Sequence, residues 1–420
     1  MILRARVVLP GSSPLIHNGA VRISGDRIAE VGRWRDLRPG VKREEIFDLG
    51  EVVLLPGLVN AHCHLDYTHM AGQFLTPKVF TDWLKIITTT KGGWDDAEYA
   101  TSWSAGARML VRTGTTTVGD IEAMAQLLPK MWRQTPLRVI SFLEMIGITG
   151  RRSPRVILQE TLAHANRLKH PRCRVGLSPH APYSTLPELL QLSAQAARKR
   201  RWAVCTHLSE SALEFDMFTH ERGEMYDWLK RSGRDMTDCG QGSPAQHLDR
   251  CGLLKPNLLA AHANYLAPKD PGLLANRGVS VVHCPRSHAY FRHGPFPLRR
   301  LLRAGVNVCL GTDSLASVYQ PRRRPVELSM FEEMRSLAQR EPWLSARRIL
   351  HMATGAGAQG LGLRGQVGEL APGAFADLIA LPLENAYPKI HESILAFQGQ
   401  VAASMISGRW AIPPSPGKEL

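Results

Sequence analysis

The stretch Leu58-Val59-Asn60-Ala61-His62-Cys63-His64 decides how this chain is read. It opens as a short apolar run of strand length and closes on two histidines one residue apart. In a strand, residues i and i+2 point to the same face, so both imidazoles leave the strand end together. Taken alone, the pair fits two unrelated polar residues as well as it fits a site. Seven further short apolar runs follow, at 115–119, 138–144, 174–178, 203–207, 258–262, 279–283 and 306–311, with helix-like segments between them such as 100–113, 154–169, 186–199 and 298–304. Continuous apolar strands alternating with helices predict an α/β fold, a parallel (β/α)8 barrel of the TIM type. A doubly wound open sheet is the alternative. Against it, runs one, five, six, seven and eight all end in polar residues, as strands meeting at one mouth would.

Outside the alternating region the texture changes. The N-terminal stretch holds a β-rich run at 2–9 and a hairpin, 20–23 and 27–31, turning at Gly25-Asp26. Strand candidates recur at 377–381 and 401–406, before a Gly408-Arg409 turn. Two strand-rich ends predict one small β-sandwich domain built from residues 1–55 and 365–420, around a barrel domain of residues 56–364.

Composition narrows the class. A chain of 420 residues, 44 % hydrophobic, can bury a large core. No run approaches the roughly 18 apolar residues of a membrane helix, and Met1–Gly19 lacks the apolar segment of a signal peptide. No membrane association and a cytoplasmic location are therefore expected. Seven scattered cysteines with no Cys-x-x-Cys pair argue against disulfides and thiolate zinc sites; Cys63, Cys205, Cys284 and Cys309 sit in apolar runs as buried fillers. The formal charge of +15 raises the question of nucleic acid. The basic residues are spread out, however, and the clusters Arg151-Arg152, Lys199-Arg200-Arg201 and Arg322-Arg323-Arg324 have no aromatic residues among them. A solvated basic surface is the expectation, with no nucleic-acid partner.

The chemistry converges on the strand ends. Run five ends in Thr206-His207-Leu208-Ser209-Glu210 and run eight in Gly311-Thr312-Asp313. With His62 and His64, they bring three neutral nitrogens and a carboxylate to one mouth, a donor set for a divalent cation, Zn2+ first and Fe2+ second. Such an ion lowers the pKa of water toward neutrality and so supplies hydroxide. Glu210, three residues after His207, is near enough to move protons; a solvated or helix-capping glutamate is its plainer reading.

The chain resembles the amidohydrolase superfamily, in particular its cytosolic deaminases and chlorohydrolases. The resemblance rests on Pro56–His64, Thr206–Glu210, His283-Cys284-Pro285-Arg286-Ser287, Gly311–Asp313 and Gly368–Leu378, and so spans almost the whole chain. It implies that His62, His64, His207 and Asp313 are metal ligands, that Glu210 shuttles the proton, and that His262 orients the attacking water or polarises the substrate beside them. Asp313 would also accept a proton from that water. Dinuclear relatives carry a modified lysine at the end of strand four; Val175-Gly176-Leu177-Ser178-Pro179-His180 has none, which implies a single ion. His180, in Pro179-His180-Ala181-Pro182-Tyr183, is similar to a substrate-contacting stretch of nucleoside deaminases, and the Trp83 region fits the same group. His283 ends run seven and serves either the substrate or a structural hydrogen bond.

The activity implied is that of a hydrolase on carbon–nitrogen bonds other than peptide bonds: hydrolytic deamination of a small aminated heterocycle, first an adenine-type nucleoside of the methylthioadenosine, adenosylhomocysteine or aminodeoxyfutalosine kind. Triazine or pyrimidine chlorohydrolysis or deamination comes second, cyclic-amide opening third, and a metal-free scaffold on the same barrel is the non-enzymatic alternative. Pro285-Arg286-Ser287-His288 has His where many relatives have Asn, which resembles the aminodeoxyfutalosine deaminases. Arg286 would then pair bidentately with a substrate carboxylate; a surface arginine is the plain alternative. Relatives of this kind often form homo-oligomers.

Overall fold

The structure is a computed structural model that describes residues 1–38, 44–74, 77–320, 325–383 and 389–415. The eight apolar runs all form strands: β1 (Leu58–Cys63), β2 (Thr115–Glu122), β3 (Arg138–Met145), β4 (Arg174–Pro179), β5 (Val204–Leu208), β6 (Leu258–His262), β7 (Ser280–His283) and β8 (Asn307–Leu310). Each pairs in parallel with the next, so the sheet follows chain order. Closure comes from a bridge between Cys63 and Asp313, where the Asp313 N–H donates to the His62 carbonyl at 3.0 Å. Gly311 makes this approach possible, because a Cβ there would stand 2.7 Å from the His62 carbonyl oxygen and 2.9 Å from its Cβ. The expected barrel is present and closed.

Burial on both faces explains why the strands are continuously apolar. Val59, Ala61, Ile121, Phe142, Leu259 and Cys309 fill one cluster, while helices cover the outside. The helix Asp96–Arg112 opens on a capping box between Asp95 and Glu98. Pro154 and Pro187 start the helices Pro154–Arg167 and Pro187–Arg200, where their fixed φ costs nothing. Strand β2 runs to Glu122, three residues past the expected end. All seven cysteines are buried and free. No described helix is long and apolar enough to cross a membrane. The Arg322–Arg324 cluster lies outside the described residues.

The two ends of the chain build one mixed sheet. Its order is Arg409–Ile412, Ala403–Ile406, Leu378–Pro382, Val52–Pro56, Ile2–Val8, Ile16–Ser24 and Arg27–Arg33, with Ile46–Asp48 also pairing Ile2–Val8. The antiparallel pair Val52–Pro56 and Leu378–Pro382 joins the N-terminal strands to the C-terminal ones. The sheet curls over itself as a sandwich: Arg27 bridges Phe375, and the Gly408 turn donates to the Ala376 carbonyl. Leu3, Val21, Ile28, Leu54, Leu378 and Met405 fill the space between. Arg138, the first residue of β3, ties this sheet to the barrel through a buried ion pair with Asp377, Nε to Oδ2 3.0 Å.

Candidate metal centre

The strand ends place the donors. Strand β1 delivers His62 and His64 to one side of the mouth, and β5 delivers His207. The Nε2 atoms of His64 and His207 lie 3.2 Å apart. Asp313 Oδ1 stands 3.8 Å from His62 Nε2 and 3.7 Å from His64 Nε2. Tetrahedral ligands at ~2.1 Å from an ion sit about 3.4 Å from one another, so these spacings fit one divalent ion. His62 Nε2 is fully buried with no hydrogen-bond partner among the described residues, an orphan that an ion would satisfy. Two triads lie close enough to hold an ion, His62, His64 and His207, and His62, His262 and Asp313, sharing His62.

Neighbours fix each donor. The His207 Nδ1–H donates to the His180 carbonyl at 2.8 Å, which leaves Nε2 bare toward the cluster. Ser287 Oγ and Ser317 Oγ donate to Asp313 Oδ2 at 2.6 and 3.0 Å, keeping Oδ1 for the histidines. Burial drives His62 and His64 well below the ordinary imidazole pKa, with the neighbouring histidines adding to it, so both stay neutral and able to ligate. The backbone is held in unusual conformations here. Ser209, His262, Ala263 and Asp313 all have positive φ, 46°, 70°, 52° and 54°. Such residues cost of order 1–3 kcal/mol each and persist only where surroundings enforce them.

Glu210 follows directly. The Glu214 carboxylate accepts from the Ser209 and Glu210 N–H groups and so pins the turn after β5. Burial, with the charges of Asp313 and Glu214, holds the Glu210 carboxyl well above its usual pKa. Its Oε1 is 3.7 Å from His262 Nε2, another buried nitrogen with no hydrogen-bond partner among the described residues. The His262 ring lies 5.5 Å from both His62 and His207. Glu210 and His262 thus sit together against the donor cluster.

The remaining expectations divide. The His180 ring lies tilted 4.6 Å from that of His207, is held at Nδ1 by Ser184 Oγ (2.6 Å), and turns Nε2 toward Glu144. Burial lowers its pKa to about 3. Trp83, on the helix Phe80–Gly92, donates to the Ala316 carbonyl and packs edge-on to Phe291. The His283 ring stacks on Phe296 at 3.8 Å. Arg286 is engaged by its neighbours. Its Nε and backbone N–H donate to the buried Glu333 and its Nη2 to the Glu327 carbonyl. It lines a cleft with Thr113, Glu327 and Phe331 that contains none of the strand-end histidines. Glu333 and the Glu327 carbonyl thus take up its Nε and Nη2 donors.

Sequence reasoning missed a buried polar arc beside His64. Tyr67 stacks on His64 and bonds Lys91, whose ammonium is 3.6 Å from Glu144 Oε2. Glu122 and Glu144 occupy the ends of β2 and β3, the positional signal that marked the histidines elsewhere. Burial pushes the Glu122 carboxyl up to about 8.

A parallel barrel carrying these donors at the C-terminal ends of its strands defines the class of metal-dependent (β/α)8 hydrolases. Within that class the chain belongs to the Amidohydrolase family, whose model matches residues 53–411, a divalent-metal-dependent family. Over 409 residues it is 32 % identical to the 5-methylthioadenosine/S-adenosylhomocysteine deaminase of Syntrophobacter fumaroxidans, covering 93 % of this chain and 87 % of that one. It is 32 % identical over 386 residues to the 5'-deoxyadenosine deaminase of Methanoregula boonei, covering 86 % and 80 % of the two chains. An adenosine deaminase from Xanthomonas campestris, solved with bound zinc, matches with a TM-score of 0.83 at 26 % identity, over 98 % of this chain and 92 % of that one.

Proposed function

We propose that this chain is a zinc-dependent aminohydrolase that removes the amino group from the adenine ring of a nucleoside, with 5'-deoxy and 5'-substituted adenosines as the substrate class. The observation that carries the reading is the buried Glu210 facing His262 beside the two donor triads that share His62. The named relatives, deaminases of nucleosides of this kind, support the substrate class. His62, His64, His207 and Asp313 Oδ1 would hold the ion. When bound, the ion supplies hydroxide at neutral pH and polarises the reacting carbon.

The residues do the rest. Glu210, its proton retained by burial, donates to the ring nitrogen as the carbon–oxygen bond forms, takes the water's proton, and passes it to the leaving amine. His262 holds the attacking oxygen in line from the Glu210 side. His180 and Trp83 are the side chains assigned to contact the base. Arg286, bound to Glu333, offers no reason to prefer a carboxylated nucleoside. Ammonia release from zinc-loaded protein, across adenosine, methylthioadenosine, adenosylhomocysteine, 5'-deoxyadenosine, guanine, cytosine and melamine, tests the proposal. Turnover of an adenine nucleoside is expected, with Glu210→Gln lowering kcat by about 10²–10⁴ while the metal stays bound. Turnover of melamine alone, or a fully active Glu210→Gln, would overturn it.

A further inference from the structure

Between β5 and β6 the chain runs through the helices Ala212–His220, Glu224–Arg231 and Pro244–Arg250. This excursion packs against the loop that follows β4: Phe218, Leu229 and Met236 share an apolar cluster with Ala181 and Tyr183. Inside that seam stands a charge. The Arg234 side chain is fully buried, and its guanidinium lies 5.7 Å from the centre of the Phe218 ring. A guanidinium carries five N–H donors in one plane, and here they meet five oxygens. Nη1 donates to Asp238 Oδ1 at 2.7 Å and to the Asp235 carbonyl at 2.6 Å. Nη2 donates to Asp238 Oδ2 at 2.8 Å and to the Pro182 carbonyl at 3.1 Å, and Nε to the Tyr183 carbonyl at 2.9 Å.

A buried arginine needs a counter-charge, and Asp238, four residues on, supplies one to both ends of the fork. The other two contacts are of a different kind. They reach across the seam to residues 52 and 51 positions earlier in the chain, on the loop that carries His180. From there the hold passes in short steps. Ser184, next after Tyr183, has its Oγ 2.6 Å from His180 Nδ1, and its carbonyl accepts from the Gly147 N–H at 2.9 Å. The His180 carbonyl accepts from both the backbone N–H and the Nδ1–H of His207, each at 2.8 Å. The loop is thus tied to β5 at one end and to Arg234 at the other. A side chain held this way is in place before substrate arrives, and small displacements of such groups are costly.

We propose that Arg234 is a positioning residue, which locks the loop from His180 to Ser184 and so fixes the His180 ring where it meets the base. Arg234 itself touches neither the base nor the donor cluster; it acts through the Pro182 and Tyr183 carbonyls. The role of His180 toward the base rests on the deaminase reading, whereas the lock rests on the hydrogen bonds alone.

Arg234→Lys keeps a positive charge beside Asp238 but loses the planar fork, so it cannot serve the carboxylate and both carbonyls. Steady-state kinetics on the zinc-loaded protein, with the adenine nucleoside that it turns over fastest, compares Arg234→Lys, His180→Ala and the double variant. Arg234→Lys is expected to lower kcat/KM about 100-fold, with the loss divided between kcat and KM as in His180→Ala. In the double variant it should add less than about two-fold, because residues that act through one another are not additive. Losses that multiply, a parent-like Arg234→Lys, or a His180→Ala as active as the parent each overturn the proposal and leave the deaminase reading intact. Should Arg234→Lys fail to fold, Arg234→Met with Asp238→Leu removes fork and counter-charge together and carries the same expectation. Amide hydrogen exchange gives a readout without substrate. The Gly147, Ser184 and His207 N–H groups, bonded to the Ser184, Ala181 and His180 carbonyls, are expected to exchange about ten-fold faster in Arg234→Lys, with the amides of β7 unchanged. Unchanged exchange at all three, or an equal rise in β7, overturns the lock. A parent protein that deaminates no nucleoside overturns the deaminase reading, and the exchange rates still decide the lock.

Discussion

Asp313 depends on two hydroxyls. Ser287 and Ser317 occupy its Oδ2, so Oδ1 is the oxygen left to face His62 and His64. Ser287→Ala frees that carboxylate to rotate, and metal affinity is expected to fall 10- to 100-fold. Competition with a chromophoric chelator measures it, and an unchanged affinity would show that backbone strain alone fixes Asp313. Single residues also mark where sequence reading stops. The histidines at 62, 64 and 207 and the aspartate were legible because a strand end fixes both position and direction. Arg286 lies just past a strand, on a helix whose rotation the sequence does not state. Its guanidinium turned to Glu333, a residue 47 positions away that no local pattern connects to it.

At the scale of elements, the site depends on how closely β8 approaches β1. Gly311 is the narrow point, since a methyl group there would press on the backbone of His62. Gly311→Ala is expected to cost about 1–3 kcal/mol of stability by overpacking. Because the proposed metal ligands His62, His64 and Asp313 sit at the ends of β1 and β8, it should also weaken metal binding more than its stability loss accounts for. Thermal melts with and without zinc separate the two effects; equal shifts in both would mean that the seam relaxes without moving the donors. The strands themselves were readable as apolar runs buried on both faces. Their ends were less so. Polar residues at the end of β2 mix with its apolar core, so the run reads as ending at Gly119 while the strand continues to Glu122. The covering segments after β1 and β5 stayed illegible because tertiary contacts, such as Trp83 against Phe291, set their helices.

The whole molecule is held as one body by what crosses between barrel and terminal sheet. Val7, Val53, Leu55 and Leu381 of the sheet share a cluster with Leu58 and Ile349 of the barrel. That the two ends would meet was legible from their matching strand texture. How they grip the barrel was not, because Arg138 and Asp377 are 239 positions apart. The grip is specific. Arg138 bonds both carboxylate oxygens of Asp377 and the Ser407 hydroxyl, while its guanidinium lies 3.7 Å from the centre of the Phe375 ring, with Arg27 at 3.8 Å from the same centre. Asp377 is 1 % exposed. Arg138→Met keeps the volume but leaves that carboxylate with only the Ser407 N–H at 2.7 Å, and an uncompensated buried charge costs about 3–5 kcal/mol. A large fall in the denaturation midpoint is therefore expected, with the metal site unchanged until unfolding begins. Adding Asp377→Asn removes the stranded charge and should recover part of the loss. If the double variant is no more stable than Arg138→Met, the clamp acts through packing on Phe375 and not through charge.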